Sequence, residues 1–404
     1  MKTSFRSYAR SFALLACGLA SLGCSDDGAA VEAGVSEKQV AADYASLVEA
    51  SYADAVAEAK ALRAAIIELT ESPSDETLAA ARQAWLASRD PYGETEAYRF
   101  YQGPIDNDIT NDDVEDGPEG LINAWPIDEA YIDYVTDDAT GEVVNGGIIN
   151  DPEQFPTIDE DLLVELNTKA GEDSISTGYH AIEFLLWGQD HSADGPGDRP
   201  ASDYFTDGTG TAENQDRRAL YLSTTADLLV ENLSDVHAAW QEGEDTYRAQ
   251  FLAKTSTDAL GAIILGMGSL SGAELSGERM SVAYDNQDQE DEHSCFSDNT
   301  KQDLLNNAKS VQNVLLGTYG DFDGVGIDEL VEAKDAALAN ALRSQIQDAI
   351  DAIDAIPAPF DQAIQGDDDG EGRVAVITAV RALQDFTSTL EDAAKALNIG
   401  LSLQ

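Results

Sequence analysis

The sequence predicts an all-α protein built as two helical bundles. Three observations carry that prediction. Apolar residues recur at helical spacing in both halves of the chain. The same segments are rich in alanine, the residue with the highest intrinsic helix propensity. No long stretch alternates apolar and polar residues with a period of two, as a half-buried strand would. The 404 residues, 43% of them hydrophobic, suffice for sizeable cores and suggest two to three domains by length.

The charge narrows the range of partners. The formal net charge is −54. Nucleic acid is excluded, because phosphates need a basic face. A field of this sign attracts metal cations and cationic ligands, and it also keeps a protein soluble.

The N-terminus reads as an export signal over residues 1–23. Lys2, Arg6 and Arg10 precede the apolar run SFALLACGLASLGC, which is too short to span a membrane as a helix. The run ends in SLGC before the polar SDDG, which resembles a bacterial lipoprotein signal with Cys24 as the lipidated first residue. LLAC, ending at Cys17, is a competing site. A lipidated chain end tethers a protein without spanning the bilayer. The expected location is therefore the cell envelope, anchored to the outer membrane and facing the periplasm or the cell surface. Residues 24–37 read as a flexible spacer. Once the signal is cleaved and Cys24 lipidated, Cys295 holds the one free thiol, which excludes an intrachain disulfide and a cysteine-rich zinc site.

Helical elements follow in order. Residues 39–69 carry apolar residues at helical spacing. Residues 72–90 follow with Ser72 and Asp75 in capping-box spacing, and Pro91 is expected to end that helix. Residues 299–319, 326–353 and 374–399 repeat the style in the second half. A loop rich in Gly, Asp and Pro over 188–216 is too long for an ordinary turn and reads as the junction. The expected bundles are residues 38–200 and 201–404.

The most apolar segment, STGYHAIEFLLWGQD at 176–190, carries the chemistry. His180, Glu183 and Trp187 share one helix face, and Tyr179, Ile182, Phe184, Leu185 and Leu186 cover the others. A helix apolar all round is buried, and an ionised carboxylate there is costly unless paired or bound to metal. A His and a Glu one turn apart can reach one cation; alternatively, a neutral His hydrogen-bonds to Glu183 or to another helix. Glu96 and Arg99, at i and i+3 in ETEAYRF, are candidate companions. Glu96 completes an expected metal set with His180 and Glu183, and Arg99 could pair with either carboxylate. Further candidates are Asp128, Glu290, Glu292 and His293. Ser297 or Asp298 reads as the N-cap of the next helix, and His237 as an ordinary helix-surface residue.

GYHAIEFLLWG contains the pattern G-x-H-x-x-E. With the segments at 84–106, 122–134, 197–205, 266–280 and 289–300, the chain resembles the imelysin family, also called the insulin-cleaving metalloproteinase family. The resemblance covers roughly residues 38–404, and the motif falls on Gly178, His180 and Glu183. It implies two helical bundles related by a pseudo-twofold, with the motif helix near their interface. It also implies export, frequent lipid anchoring and a link to iron, since a relative of the domain occurs in a bacterial iron-uptake component. The expected function is a metal-binding envelope lipoprotein tied to iron acquisition. It would hold a divalent or ferric ion, iron or alternatively zinc, and work with iron-uptake proteins. The alternative is a metallopeptidase. Zincins place two His ligands and a Glu base in H-E-x-x-H, and no second His stands at i+4 here. A third option is an interaction module in which the His–Glu pair is structural.

Overall fold

The computed structural model of the chain describes residues 35–107, 117–137, 139–192 and 195–401. The expected export signal, Cys17, Cys24 and most of the spacer lie outside the described residues. The end of that spacer is already helical: α1 spans Glu37–Glu71, and Ser36 Oγ caps it by accepting from Gln39 N at 3.2 Å.

Helix α2 spans Asp75–Gly93. Its cap is Ser74, not Ser72. Ser74 Oγ accepts from Thr77 N at 3.2 Å, and Thr77 Oγ1 accepts from Ser74 N at 2.9 Å. Nor does Pro91 end the helix, which continues to Gly93. So near the C-terminus, a missing N–H forfeits a single bond. The motif helix α3 is Gly178–Trp187, and α4 is Gln215–Trp240. Helices α2 and α4 each pack on α1, with α3 against α2 and α4. The division expected at 200/201 therefore falls between two helices that pack on one another.

A second group follows. Helix α5, Ser256–Ser269, runs into a π-helical segment at Leu270–Ser281 and then into Val282–Asn286. Helices α6 (Thr300–Leu316), α7 (Ala336–Asp354) and α8 (Glu371–Ala396) complete it. Helix α8 lies against α7 and the π segment, and α6 against α7. The groups meet where α6 touches α2 and α5 touches α1, so they share one hydrophobic core. Among the described residues the only sheet is two ribbons, Val135–Thr136 with Val143–Val144 and Thr318–Tyr319 with Phe322–Asp323. The fold is all-α, as expected. Ser256–Asn286 is apolar and long enough to cross a membrane, but 61% of its apolar window is buried, as in a core helix.

Every residue of α3 is buried. Ile182, Phe184, Leu185 and Leu186 are fully so, each worth about 1.5–3 kcal/mol in apolar burial. That burial pins the helix and fixes where His180 and Glu183 point.

Candidate functional site

The motif glycine has a backbone reason. Gly178 has φ +84°, and a Cβ there would stand 2.5 Å from the Ile122 carbonyl oxygen. Only glycine permits both the left-handed start of α3 and this close approach. One turn along, His180 Nδ1 lies 2.9 Å from Glu183 Oε2. The other oxygen, Oε1, accepts from Ser297 N at 2.9 Å and from Ser297 Oγ at 2.6 Å. Ser297 therefore serves Glu183 rather than capping α6. Asp298 does not cap it either; its φ is +57°, and Asn299 occupies the cap position. Burial pushes the Glu183 carboxyl up to about 8; the Ser297 hydroxyl opposes that rise, and Asp303 adds to it. Burial, helped by Arg89, holds His180 well below the usual imidazole range.

A second histidine lies against the first. The His293 ring stands edge-on to His180, with centroids 4.9 Å apart, and Trp125 packs on it at 5.1 Å. His293 Nδ1 lies 3.1 Å from Asp303 Oδ2. Burial and then Arg279 lower this imidazole to about 3. Burial alone would raise Asp303, but Arg89 and His293 hold it well below the usual carboxylate range. The ionised Asp303 thus accepts the Nδ1–H of a neutral His293. Nε2 of His180 and Nε2 of His293 are both buried without a hydrogen-bond partner.

Both rings line one cavity of about 20 Å³, together with Trp125, Glu290, Glu292 and Cys295. That is room for about one water or a single ion. Glu292 is 3% exposed, and neither carboxylate oxygen meets a donor in full hydrogen-bond geometry, although the Thr300 hydroxyl lies close enough to act on it. Burial raises its carboxyl well above the ordinary range against the pull of Thr300, and Asp361, Asp298 and Asp190 push the same way as burial.

Glu96 is held elsewhere. Its Oε2 accepts from Arg279 Nη2 at 2.8 Å and from Arg99 Nη1 at 3.3 Å, and its Oε1 from Asn123 Nδ2 at 3.4 Å. Burial would raise this carboxyl, but Arg279 and Arg99 bring it down to about 2. The link to the histidines is indirect. Arg89 Nη1 donates to Asn123 Oδ1 at 2.6 Å, while its Nε and Nη2 donate to Asp303 at 3.2 and 3.1 Å. The expected set of His180, Glu183 and Glu96 is corrected accordingly. Two arginines already neutralise Glu96, and no group of three or more His, Cys, Asp or Glu among the described residues is placed to hold a metal.

The other candidates sort clearly. Arg99 pairs with Glu96 as expected, and also with Asp106 and Glu119, but not with Glu183. Asp128 is exposed and caps the short helix Glu129–Ile132 by accepting from Ala130 N at 3.0 Å, which takes it away from the site. Glu290, Glu292 and His293 line the cavity. His237 sits on α4, 3.2 Å from Glu49 Oε1. Sequence reasoning missed Arg89, Asn123 and Asp303. Arg89 did leave a signal, because it follows Trp85 by one turn on the buried stripe of α2 with Leu78, Ala81 and Tyr92.

Comparison with known proteins bears on this arrangement. The imelysin family profile matches residues 48–390. The chain is 26% identical over 355 residues to the iron-regulated protein A of Synechococcus elongatus, covering 85% of this chain and 82% of that protein. Two crystal structures share the fold. A Parabacteroides distasonis protein assigned as an iron-regulated protein A precursor matches with a TM-score of 0.67 at 19% identity, over 91% of this chain and 97% of the other. An imelysin-like protein from Psychrobacter arcticum matches with a TM-score of 0.60 at 14% identity, over 91% and 98%. With the G-x-H-x-x-E residues buried together on α3 and the family profile matched along most of its length, this chain belongs to the imelysin family.

Proposed function

We propose that this chain is an exported, lipid-anchored envelope protein that binds a metal ion, iron, at the motif helix and serves iron acquisition. One observation carries the metal reading: the buried Nε2 of His180 lacks a partner while Nδ1 is braced by Glu183. An unsatisfied buried polar atom costs about 1–3 kcal/mol. A cation on that nitrogen removes the cost. With Nε2 so engaged, Nδ1 carries the ring proton and donates it to an ionised Glu183, as carboxylates behind metal-bound imidazoles accept, so cation binding expels the proton that burial holds on Glu183. Glu183 thus acts behind His180 rather than beside it, since Ser297 and His180 occupy its two oxygens. The similarity to an iron-regulated protein supports iron as the cargo.

The metallopeptidase reading is supported less well. A catalytic zinc needs three protein ligands, an open position and a base beside a substrate cleft. The cavity at His180 has room for about one water, and Glu183 has no free oxygen to act as base.

The test is metal analysis of the purified protein together with titration of His180→Ala. The substitution should weaken cation binding by about 10-fold or more, since loss of a ligand costs at least as much as loss of the group behind it. Unchanged affinity would overturn the reading. Anchoring is tested separately: Cys24→Ala should release the protein from the membrane fraction, and a fully processed, membrane-bound variant would sink the lipoprotein claim.

A further inference from the structure

We propose that the cation site at the motif helix is a two-histidine site. In it Nε2 of His293 is the second ligand and the Glu292 carboxylate the third donor, matched to a divalent first-row cation such as ferrous iron. This deepens the metal reading above and rests on it.

The two histidines are built alike. Each is buried, each has Nδ1 within 3.1 Å of a carboxylate oxygen, and each leaves Nε2 without a partner. The carboxylates come from different parts of the chain, Glu183 on α3 and Asp303 on α6. Both are anchored in turn. Ser297 holds Glu183, while Arg89, Ser294 and Asn299 hold Asp303. An ionised carboxylate at Nδ1 fixes both the tautomer and the ring, leaving a lone pair on Nε2, as it does for His180 once a cation displaces the Glu183 proton. Asp303 is ionised beside Arg89, so this assignment is firm for His293. Edge-to-face packing at 4.9 Å would also suit two merely structural rings. It does not explain why both histidines line the same cavity and both Nε2 atoms are buried without a hydrogen-bond partner.

Glu292 supplies what two imidazoles lack. It borders the same cavity, is almost fully buried, and its oxygens find no donor in full hydrogen-bond geometry, the Thr300 hydroxyl giving only a partial pull. A buried carboxyl left like this costs free energy. The three groups do not stand in ligand geometry in this structure, so the site requires their side chains, Glu292 above all, to turn onto the cation. Two neutral imidazoles and one carboxylate form the donor set of non-haem ferrous sites, whereas calcium and magnesium take oxygen donors throughout. Cys295 borders the cavity too.

The test uses the full chain, titrated calorimetrically with Co²⁺ as an air-stable divalent probe and with Ca²⁺ for comparison. His180→Gln and His293→Gln should each weaken Co²⁺ binding by about 10-fold or more. Glu292→Gln should weaken it several-fold, and Ca²⁺ should compete poorly. If His180→Gln weakens binding and His293→Gln does not, the two-histidine site is overturned while the reading at His180 stands. If neither matters, both fall. Tighter binding of Ca²⁺ than Co²⁺ would overturn the cation class. Should His293→Gln fail to fold, ¹⁵N spectra of the unmodified protein decide. Two Nε2 signals shifting on addition of diamagnetic Zn²⁺ support the proposal, and a shift of one alone overturns it.

Discussion

The buried polar network has two ends that differ in one respect, charge compensation. At one end Glu96 and Asp303 face Arg279, Arg99 and Arg89, and both carboxyls lie below their ordinary range. At the other, Glu183 meets His180 and Ser297, Glu292 lies buried near Thr300 and further acids, and both carboxyls lie above it. The two ends are a few bonds apart, joined through Asn123, Arg89 and Asp303 to His293. The lesson is that burial alone does not mark a ligand. A carboxylate already matched by guanidinium groups has no capacity left for a cation. The end lacking a fixed positive charge is the one that can accept a mobile one.

The sharpest way to break this comparison is to strip compensation from the arginine end. Arg89→Met leaves Asp303 buried beside His293 without its bidentate partner. Removing one member of a buried ion pair costs about 3–5 kcal/mol. Urea unfolding should show that loss as a lower midpoint. A loss below about 1 kcal/mol would mean that Arg89 does not anchor the network.

The histidine end should respond to ligand instead. Cation at 100 times its Kd should stabilise the protein by about 2.7 kcal/mol, through binding to the folded state alone. Thermal unfolding with and without Co²⁺ measures this. His180→Ala should abolish most of the gain at the same cation concentration, and chelation should reverse it.

The two ends should also respond to opposite pH windows. Glu183 is raised from 4.5 to about 8 on folding, so the folded state retains a proton that the unfolded chain has lost. Its stabilising contribution is present below pH 4.5 and is lost as pH rises through 8. Between pH 6.5 and 8 this group should remove about 1–2 kcal/mol, at up to 1.36 kcal/mol per pH unit. Glu183→Gln should make that decline shallower. Glu96 runs the other way: its contribution is present above pH 4.5 and is lost as pH falls through about 2. Stability curves against pH for the two variants separate the ends.

How much of this was legible beforehand depends on range. The motif helix was legible because its apolar residues cover every face, and the His180–Glu183 spacing put both groups on one side of it. The all-α class followed from periodicity. Local punctuation was read one step off: Ser74 caps α2 instead of Ser72, because it alone reaches Thr77 reciprocally. The partners of the site were hidden by distance along the chain. Arg89 meets Asp303 across 214 positions, and Arg279 meets Glu96 across 183. Nothing local announces such pairs. Glu96 was correctly singled out as a buried acid, but its role was decided by a guanidinium on the π segment. Such segments are rare and often accompany functional sites. The loop at 188–216 suggested a junction by its length, whereas the packing of α4 on α1 is a tertiary fact that length does not encode.

The smallest expected effect is the most discriminating control. His237 and Glu49 form a third histidine–carboxylate pair, with Nε2 3.2 Å from Oε1, joining α4 to α1. Its chemistry matches that of the buried pairs, but its side chains are 17% and 38% exposed. Water can solvate both partners, so the pair should contribute no more than about 1 kcal/mol, and salt should screen it. His237→Ala should therefore leave the unfolding midpoint nearly unchanged and cation affinity untouched. A large loss of Co²⁺ binding in this variant would mean that any imidazole beside a carboxylate serves in this strongly acidic chain. The contrast between an exposed pair and buried, uncompensated ones would then fail as an explanation of the site.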